Sequence, residues 1–368
     1  MIRLRAEATS LRVGMALVGS LIVVTACSGP SAQAVPTPSG GVILSALPHL
    51  PGSPAPTASS RAAATAQAVA RSTAKPATRT TSTKPTTPAG PRTIIGGCQV
   101  FPTNNPWNEN IANAPVNPMS ATYIAAIDAT KQFLHPDFGS NPTYGIPYTV
   151  VPASQKFVPI TFNAYGSESN PGPYPVPLNA PVESGSDHHV LVLDSGNCNL
   201  YEMYNAQQVG NGWVCASGAV FNLSSNALRP DGWTSADAAG LPILPGLATY
   251  NEVASGVINH ALRFTVAETQ NGFIHPATHQ AGINDPSLPP MGLRLRLSAS
   301  FSLAGFTGEA LVILKALKTY GMIVADNGSS WYISGATDPR WDDNNLDQLK
   351  SVPGNAFQVV ETGPILHG

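Results

Sequence analysis

Charge is scarce in this sequence, and the motifs of several common enzyme classes are missing. Lys, Arg, Asp and Glu make up 11% of the 368 residues, whereas a typical globular chain has about 25%. There is no Gly-x-Ser-x-Gly elbow, no phosphate-binding loop and no dinucleotide-binding glycine pattern. These absences disfavour the α/β-hydrolases, the P-loop enzymes and the dinucleotide-dependent oxidoreductases.

Metal-binding spacings are weak as well. The sequence has no C-x-x-C pair. His275 and His279 are four residues apart, but Pro276 between them disfavours the helix on which such a pair would share a face. We therefore expect no metal site and no cofactor.

The few charges are divided unevenly along the chain. Residues 1–92 contain nine Lys and Arg but a single acid, whereas the remaining 276 residues contain ten Lys and Arg and twenty acids. The near-neutral total of −2 is therefore a cancellation between a basic N-terminal arm and an acidic body. An acidic body disfavours nucleic acid as a partner.

The first 27 residues have the features of an export signal. Three arginines precede an apolar run over residues 13–24, which is shorter than the roughly 20 residues that a spanning helix needs. The run ends in Val24-Thr25-Ala26-Cys27, which resembles the lipobox of bacterial lipoproteins. That resemblance implies cleavage before Cys27, a lipid on Cys27 and a protein held at the outer face of the cell membrane. Ordinary signal cleavage with an incidental cysteine is the alternative.

Residues 28–92 are dominated by Pro, Ala, Ser and Thr and contain no acids. This composition cannot bury enough apolar surface to offset the entropy lost on ordering, so it predicts a disordered tether. The folded body is then a single domain over residues 93–368.

The body has the pattern of a mainly β domain with a few helices, so we predict a β-sandwich or jelly-roll-like fold. Apolar or alternating runs punctuated by Gly, Pro and Asn predict strands at 148–151, 158–162, 189–194, 200–205, 257–266, 293–301 and 322–325.

Local signals also predict three helices and a hairpin. We expect helices at 120–131 and 307–319 and a one- to two-turn helix opening at 234–237. Asn327-Gly328 predicts a tight turn that pairs 322–326 with 329–334.

Export would expose the cysteines of the body to an oxidising compartment. If the strand at 200–205 turns back near residues 210–212, Cys198 and Cys215 are about five strand residues apart, too far for a disulfide. We therefore predict a Cys98–Cys198 disulfide and a buried, free Cys215.

Candidate catalytic residues lie in the stretch 187–204. If Asp194 pairs with Asn199 across a turn, then His189, Glu202 and Tyr204 share one face of a hairpin. A histidine, a carboxylate and a phenol within reach of one another can perform acid and base catalysis. The alternative is structural, because leucines on the same face would make His189 and Glu202 a satisfied pair at the edge of a core.

Candidate binding residues are cationic and aromatic. Arg294 and Arg296 alternate with leucines, and with Arg263 they could hold a carboxylate or phosphate. Structural neutralisation of nearby acids is the alternative. Trp233, in a loop, is a candidate platform for a sugar ring, although a buried packing role is its alternative.

Four segments of the body resemble exported, lipid-anchored proteins of soil-type Gram-positive bacteria. They are residues 98–102, 232–246, 259–264 and 320–328. The resemblance covers nearly the whole body and implies the same location, but it implies no catalytic residue.

Taken together, these features favour a surface-anchored protein that acts on or binds carbohydrate. We expect a polysaccharide or cell-wall polymer as its partner, and an enzyme of this kind would be a hydrolase or lyase of acidic polysaccharide. Two alternatives remain open: a non-enzymatic glycan-binding or adhesion module, and a structural lipoprotein of the cell envelope.

Replacing Cys27 by Ser should release the protein into the medium, because the residue that carries the lipid is lost. Fractionation of cells into membrane and medium, followed by immunodetection, measures this. Unchanged recovery with the membranes would contradict the assignment of the anchor.

Overall fold

The computed structural model describes residues 92–128 and 131–367. The predicted signal peptide, Cys27 and all but the last residue of the predicted tether lie outside the described residues.

Within these ranges the chain forms fifteen strands, four α-helices and five short 3-10 helices. The strands are β1 (Ile94–Ile95), β2 (Cys98–Gln99), β3 (His135–Pro136), β4 (Tyr148–Val151), β5 (Ile160–Phe162), β6 (Val190–Asp194), β7 (Asn199–Tyr204), β8 (Gln207–Val209), β9 (Gly212–Cys215), β10 (Ser217–Asn222), β11 (Leu262–Val266), β12 (Arg294–Leu297), β13 (Met322–Asn327), β14 (Tyr332–Ile333) and β15 (Phe357–Val359). The α-helices are α1 (Ser120–Ile127), α2 (Tyr250–Ala254), α3 (Gly308–Thr319) and α4 (Asp343–Leu346). The 3-10 helices are Pro106–Asn108, Gly166–Glu168, Leu244–Gly246, Asp347–Ser351 and Gly354–Ala356.

Most strands belong to three sheets, of six, four and three strands. Their orders are β15-β12-β13-β11-β14-β3, β10-β7-β6-β4 and β5-β9-β8. The prediction of a mainly β, sandwich-like domain with a few helices is confirmed.

The four-stranded sheet is covered on both faces. Leu191, Leu193 and Leu200 belong to the main core, which includes the six-stranded sheet. Val192 and Met203 belong to a second core, which includes residues of the three-stranded sheet. Every residue of β6 is therefore buried, which explains why its sequence is a continuous apolar run.

The predicted register of the β6–β7 hairpin is confirmed. Asp194 lies opposite Asn199, and Leu191 lies opposite Glu202. Because side chains alternate along a strand, this register directs Glu202 toward the main core.

Two predicted helices are present. The first ends at Ile127, earlier than the predicted residue 131, and the hydroxyl of Ser120 accepts a hydrogen bond from the Val359 backbone N–H instead of capping the helix. The second, α3, buries Ile313, Leu314 and Leu317. No helix in the described ranges combines the length and apolar character needed to cross a bilayer.

The predicted helix opening at residues 234–237 is wrong. No helix forms there, because the Ser235 hydroxyl accepts a hydrogen bond from the Asp237 N–H and donates one to the Leu241 carbonyl. These side-chain bonds stabilise a turn in place of a helical ladder.

The predicted pairing of residues 322–326 with 329–334 is also wrong. Strand β11 lies between β13 and β14, parallel to the first and antiparallel to the second. In this position β11 buries Leu262, Phe264 and Val266 completely. If β13 and β14 paired with each other in a hairpin, β11 would lose its place between them.

The predicted disulfide is confirmed. Cys98 and Cys198 are bonded, with 5.5 Å between their Cα atoms, and Cys215 is a buried free thiol. The bond links β2, at the beginning of the described body, to the turn between β6 and β7.

Candidate functional site

The site is built around Arg263, a buried cation in the middle of the six-stranded sheet. Its Nε donates a hydrogen bond to Asp237 Oδ2 at 3.0 Å, and one Nη donates to the Ser334 hydroxyl at 2.7 Å. Its other Nη lies 3.7 Å from Asp326 Oδ2. Because the Asp237 side chain has no exposed surface, these two residues form a fully buried ion pair that holds the guanidinium in place.

Asp326 lies beside this pair because of an irregularity in β13. Arg263 is opposite Ile323, and Thr265 is opposite Asp326, so the register shifts by one residue between Phe264 and Thr265. In a regular strand, Ala325 would lie on the same face of the sheet as Arg263. Because of the bulge, Asp326 lies on that face instead. Asp326 was not among the predicted site residues, because the only sign of a bulge in the sequence is an acid at the end of the apolar run 322–325.

The carboxyl group of Asp326 is partly protonated at neutral pH. Burial, and secondarily the nearby Asp237 carboxylate, raise the pKa of Asp326 to about 7, although the charge of Arg263 opposes the shift. Its side chain nevertheless keeps 22% of its surface exposed. Asp326 can therefore hold a proton and present it to a ligand.

Two adjoining cavities meet at Asp326. One, of about 360 Å³, is lined by Asp137, Tyr144, Glu183, His189, Arg263 and Tyr332, among others. The other, of about 280 Å³, is lined by Tyr165, Tyr204, Ser217, Thr234, Asp237 and His279, among others. Asp187, Asp326 and Asn327 line both cavities. We call the two cavities together the groove.

His189 lies in the wall of the groove, but both of its ring nitrogens are engaged. Nδ1 is 2.6 Å from Glu183 Oε2, and Nε2 is 2.9 Å from the Ala236 carbonyl oxygen. Both partners can only accept, so both nitrogens carry a hydrogen and the ring is an imidazolium. Burial alone lowers the pKa of His189, but the hydrogen bond and charge of Glu183 outweigh it and raise the pKa.

Glu202 lies outside the groove, within the core. Its side chain has no solvent exposure, and its carboxylate accepts hydrogen bonds from the backbone N–H groups of Ile243 and Leu244 at 2.9–3.0 Å. Burial raises the pKa of Glu202 to about 7. The carboxylate thus fastens the turn at 243–244 to the four-stranded sheet, which is a structural role.

The predicted catalytic trio is therefore divided between the core and the two cavities. Tyr204 lines the smaller cavity and His189 the larger one, and their rings are 5.9 Å apart. Glu202 lines neither cavity.

The three predicted arginines do not meet in one site. Arg263 lines the groove. Arg294 donates to the Glu109 and Tyr320 carbonyls and lines a separate cavity of about 290 Å³. Arg296 donates to the carbonyls of residues 111, 112 and 114. Both residues hold the N-terminal loop of the body against β12, so they are not available to the groove.

Trp233 also serves packing outside the groove. Its ring is half-buried, and the guanidinium of Arg229 lies 5.6 Å from the ring centre. Arg229 in turn donates to the Thr234 and Glu168 carbonyls. This stack stabilises the loop that leads to Asp237.

Among the described residues, no group of three or more His, Cys, Asp or Glu side chains is arranged to hold a metal ion. Comparison of the chain with protein-family models, curated proteins and solved structures finds no match.

Replacing Glu202 tests its structural role. Glu202→Ala should lower the free energy of unfolding by roughly 1–3 kcal/mol, because two buried backbone N–H groups lose their acceptor. Glu202→Gln keeps the side-chain oxygen and should stay closer to the wild type in urea denaturation. A Gln variant with wild-type stability and no activity would instead support a catalytic role for Glu202.

Proposed function

We propose that the protein is a surface-anchored glycan hydrolase that binds a neutral polysaccharide in the groove. The observation that carries the proposal is Asp326, a carboxyl group with a pKa of about 7 at the junction of two cavities. Hydrolysis of a glycosidic bond needs such a protonated carboxyl group, together with a second carboxylate.

The composition of the groove suits a sugar chain. Tyr144 and Tyr165 line different cavities and are 56% and 46% exposed. Exposed tyrosine rings offer an apolar face to the C–H side of a sugar and a hydroxyl to its polar edge. Carboxylates, hydroxyls and amides in the same walls provide hydrogen-bond partners for sugar hydroxyls.

Asp187 is the second carboxylate. It lines both cavities, no ion-pair partner for it occurs among the described residues, and its backbone carbonyl is held by the Asn205 N–H at 2.7 Å. Asp326 would donate its proton to the glycosidic oxygen as the carbon–oxygen bond breaks. Water would then attack the anomeric carbon and pass its proton to Asp187, and exchange with solvent would restore both groups.

A neutral substrate fits the groove better than an acidic one. Arg263 is shared by two carboxylates, while Arg294 and Arg296 are bonded to backbone carbonyls elsewhere. Asp137 and Asp187 would repel a uronate. We therefore favour hydrolysis of a neutral polymer over elimination on an acidic one.

The location forms part of the same proposal. A lipid on Cys27 and a tether over residues 28–92 would hold the domain at the outer face of the membrane, within reach of cell-wall polymers. Both the lipid and the tether are predicted from the sequence alone.

A non-enzymatic glycan-binding module is the second candidate, because the two exposed tyrosines would support binding without any proton transfer. Binding of a glycan with no release of new reducing ends would favour it.

Asp326→Asn should reduce hydrolysis at least about a hundredfold, because the proton donor is lost. New reducing ends are measured on glucan, xylan, galactomannan and arabinogalactan, with alginate and polygalacturonate as acidic comparisons. Asp347→Asn removes an exposed carboxylate outside the groove and is the matched control. Full activity in the Asp326 variant would overturn the assignment.

The rate should also depend on pH with a defined sign. A general acid works only while protonated, so kcat/KM should fall about tenfold per pH unit above the pKa of Asp326, which is about 7. Initial rates between pH 5 and 9 measure this limb. A rate that stays constant or rises above pH 8 would contradict a proton donor with this pKa.

A further inference from the structure

We infer that the two cavities are successive subsites for one glycan chain and that the protein cuts internal bonds of the polymer. This inference rests on the hydrolase function proposed above and specifies its substrate as a chain long enough to fill both cavities.

The first support is the position of the proton donor. Asp326 lines both cavities, as do Asp187 and Asn327. A sugar ring in either cavity would therefore be next to the donor, and a bond that joins two such rings would cross it. An enzyme that trims chain ends closes the site on one side of the donor around the terminal sugar, whereas each cavity here has an exposed tyrosine in its wall, Tyr144 or Tyr165.

The second support is the duplication of aromatic residues. The larger cavity has Tyr144 and Tyr332, and the smaller one has Tyr165 and Tyr204. Tyr332 is stacked on His135 with ring centres 4.2 Å apart, which fixes the plane of its ring. A pair of tyrosines on each side of the donor provides contacts for sugar rings on both sides of the cleaved bond.

The third support is size. The cavities measure about 360 and 280 Å³, and each is near the lower end of the range for small-ligand pockets. Neither alone would hold a long oligosaccharide, so the two together define the binding length.

The test uses size-graded oligosaccharides of two to eight units from glucan, xylan and galactomannan, and the corresponding polymers. We expect kcat/KM to rise steeply until a chain fills both cavities and then to level off. On polymers, the mean chain length should fall early, before small sugars accumulate.

Two variants separate the subsites. Tyr144→Ala and Tyr165→Ala should each lower kcat/KM on long chains about tenfold, which corresponds to about 1.4 kcal/mol of lost contact. Each variant should also shift the position of cleavage along an end-labelled oligosaccharide, because sugar binding on one side of the cleaved bond is weakened. The two shifts should be in opposite directions. Phe157→Ala removes an equally exposed aromatic residue outside the groove and should change neither quantity.

The outcomes distinguish the two proposals. Release of small sugars from the start, with little change in mean polymer length, would overturn the subsite arrangement and leave the hydrolase function standing. A wild-type protein that forms no new reducing ends on any of these glycans would overturn the hydrolase function, and the subsites with it.

Discussion

The buried ion pair between Arg263 and Asp237 is the interaction on which the rest of the site depends. It joins the six-stranded sheet to the loop at 232–246, and the same loop is fastened to the four-stranded sheet through Glu202. Breaking such a pair by removing one partner is costly, because the other charge is left uncompensated in the interior. The groove therefore has walls from two sheets, which are held in position by buried charged groups.

The same pair explains why Asp326 differs from an ordinary surface aspartate. Of the two carboxylates beside Arg263, Asp237 is the closer, at 3.0 Å against 3.7 Å for Asp326, so Asp326 has only a partial share of the positive charge. His189, the other buried cation nearby, is occupied by Glu183. Asp326 is thus a carboxyl group without a buried cation of its own, and it faces the cavities. The cost of burying its negative charge favours the protonated form.

Much of the architecture could be predicted from local patterns in the sequence, whereas the arrangement of the site could not. Apolar runs and the spacing of the cysteines were sufficient for the β6–β7 register and for the Cys98–Cys198 bond, because these depend on alternation and reach. The predicted hairpin at Asn327-Gly328 was wrong, because burial of the apolar strand β11 between β13 and β14 outweighed the local preference for a tight turn. It also missed Asp326, whose direction depends on a one-residue bulge in β13.

If the domain is held by its N-terminus, as we propose, the disulfide has a mechanical consequence. Strands β1 and β2 form only a two-residue pairing, which a pulling force applied at Arg92 could separate easily. Past Cys98, however, the load would pass through a covalent bond into the turn between β6 and β7, and so into a buried sheet. The bond would thus limit the stretch that tension can peel away to the few residues before Cys98.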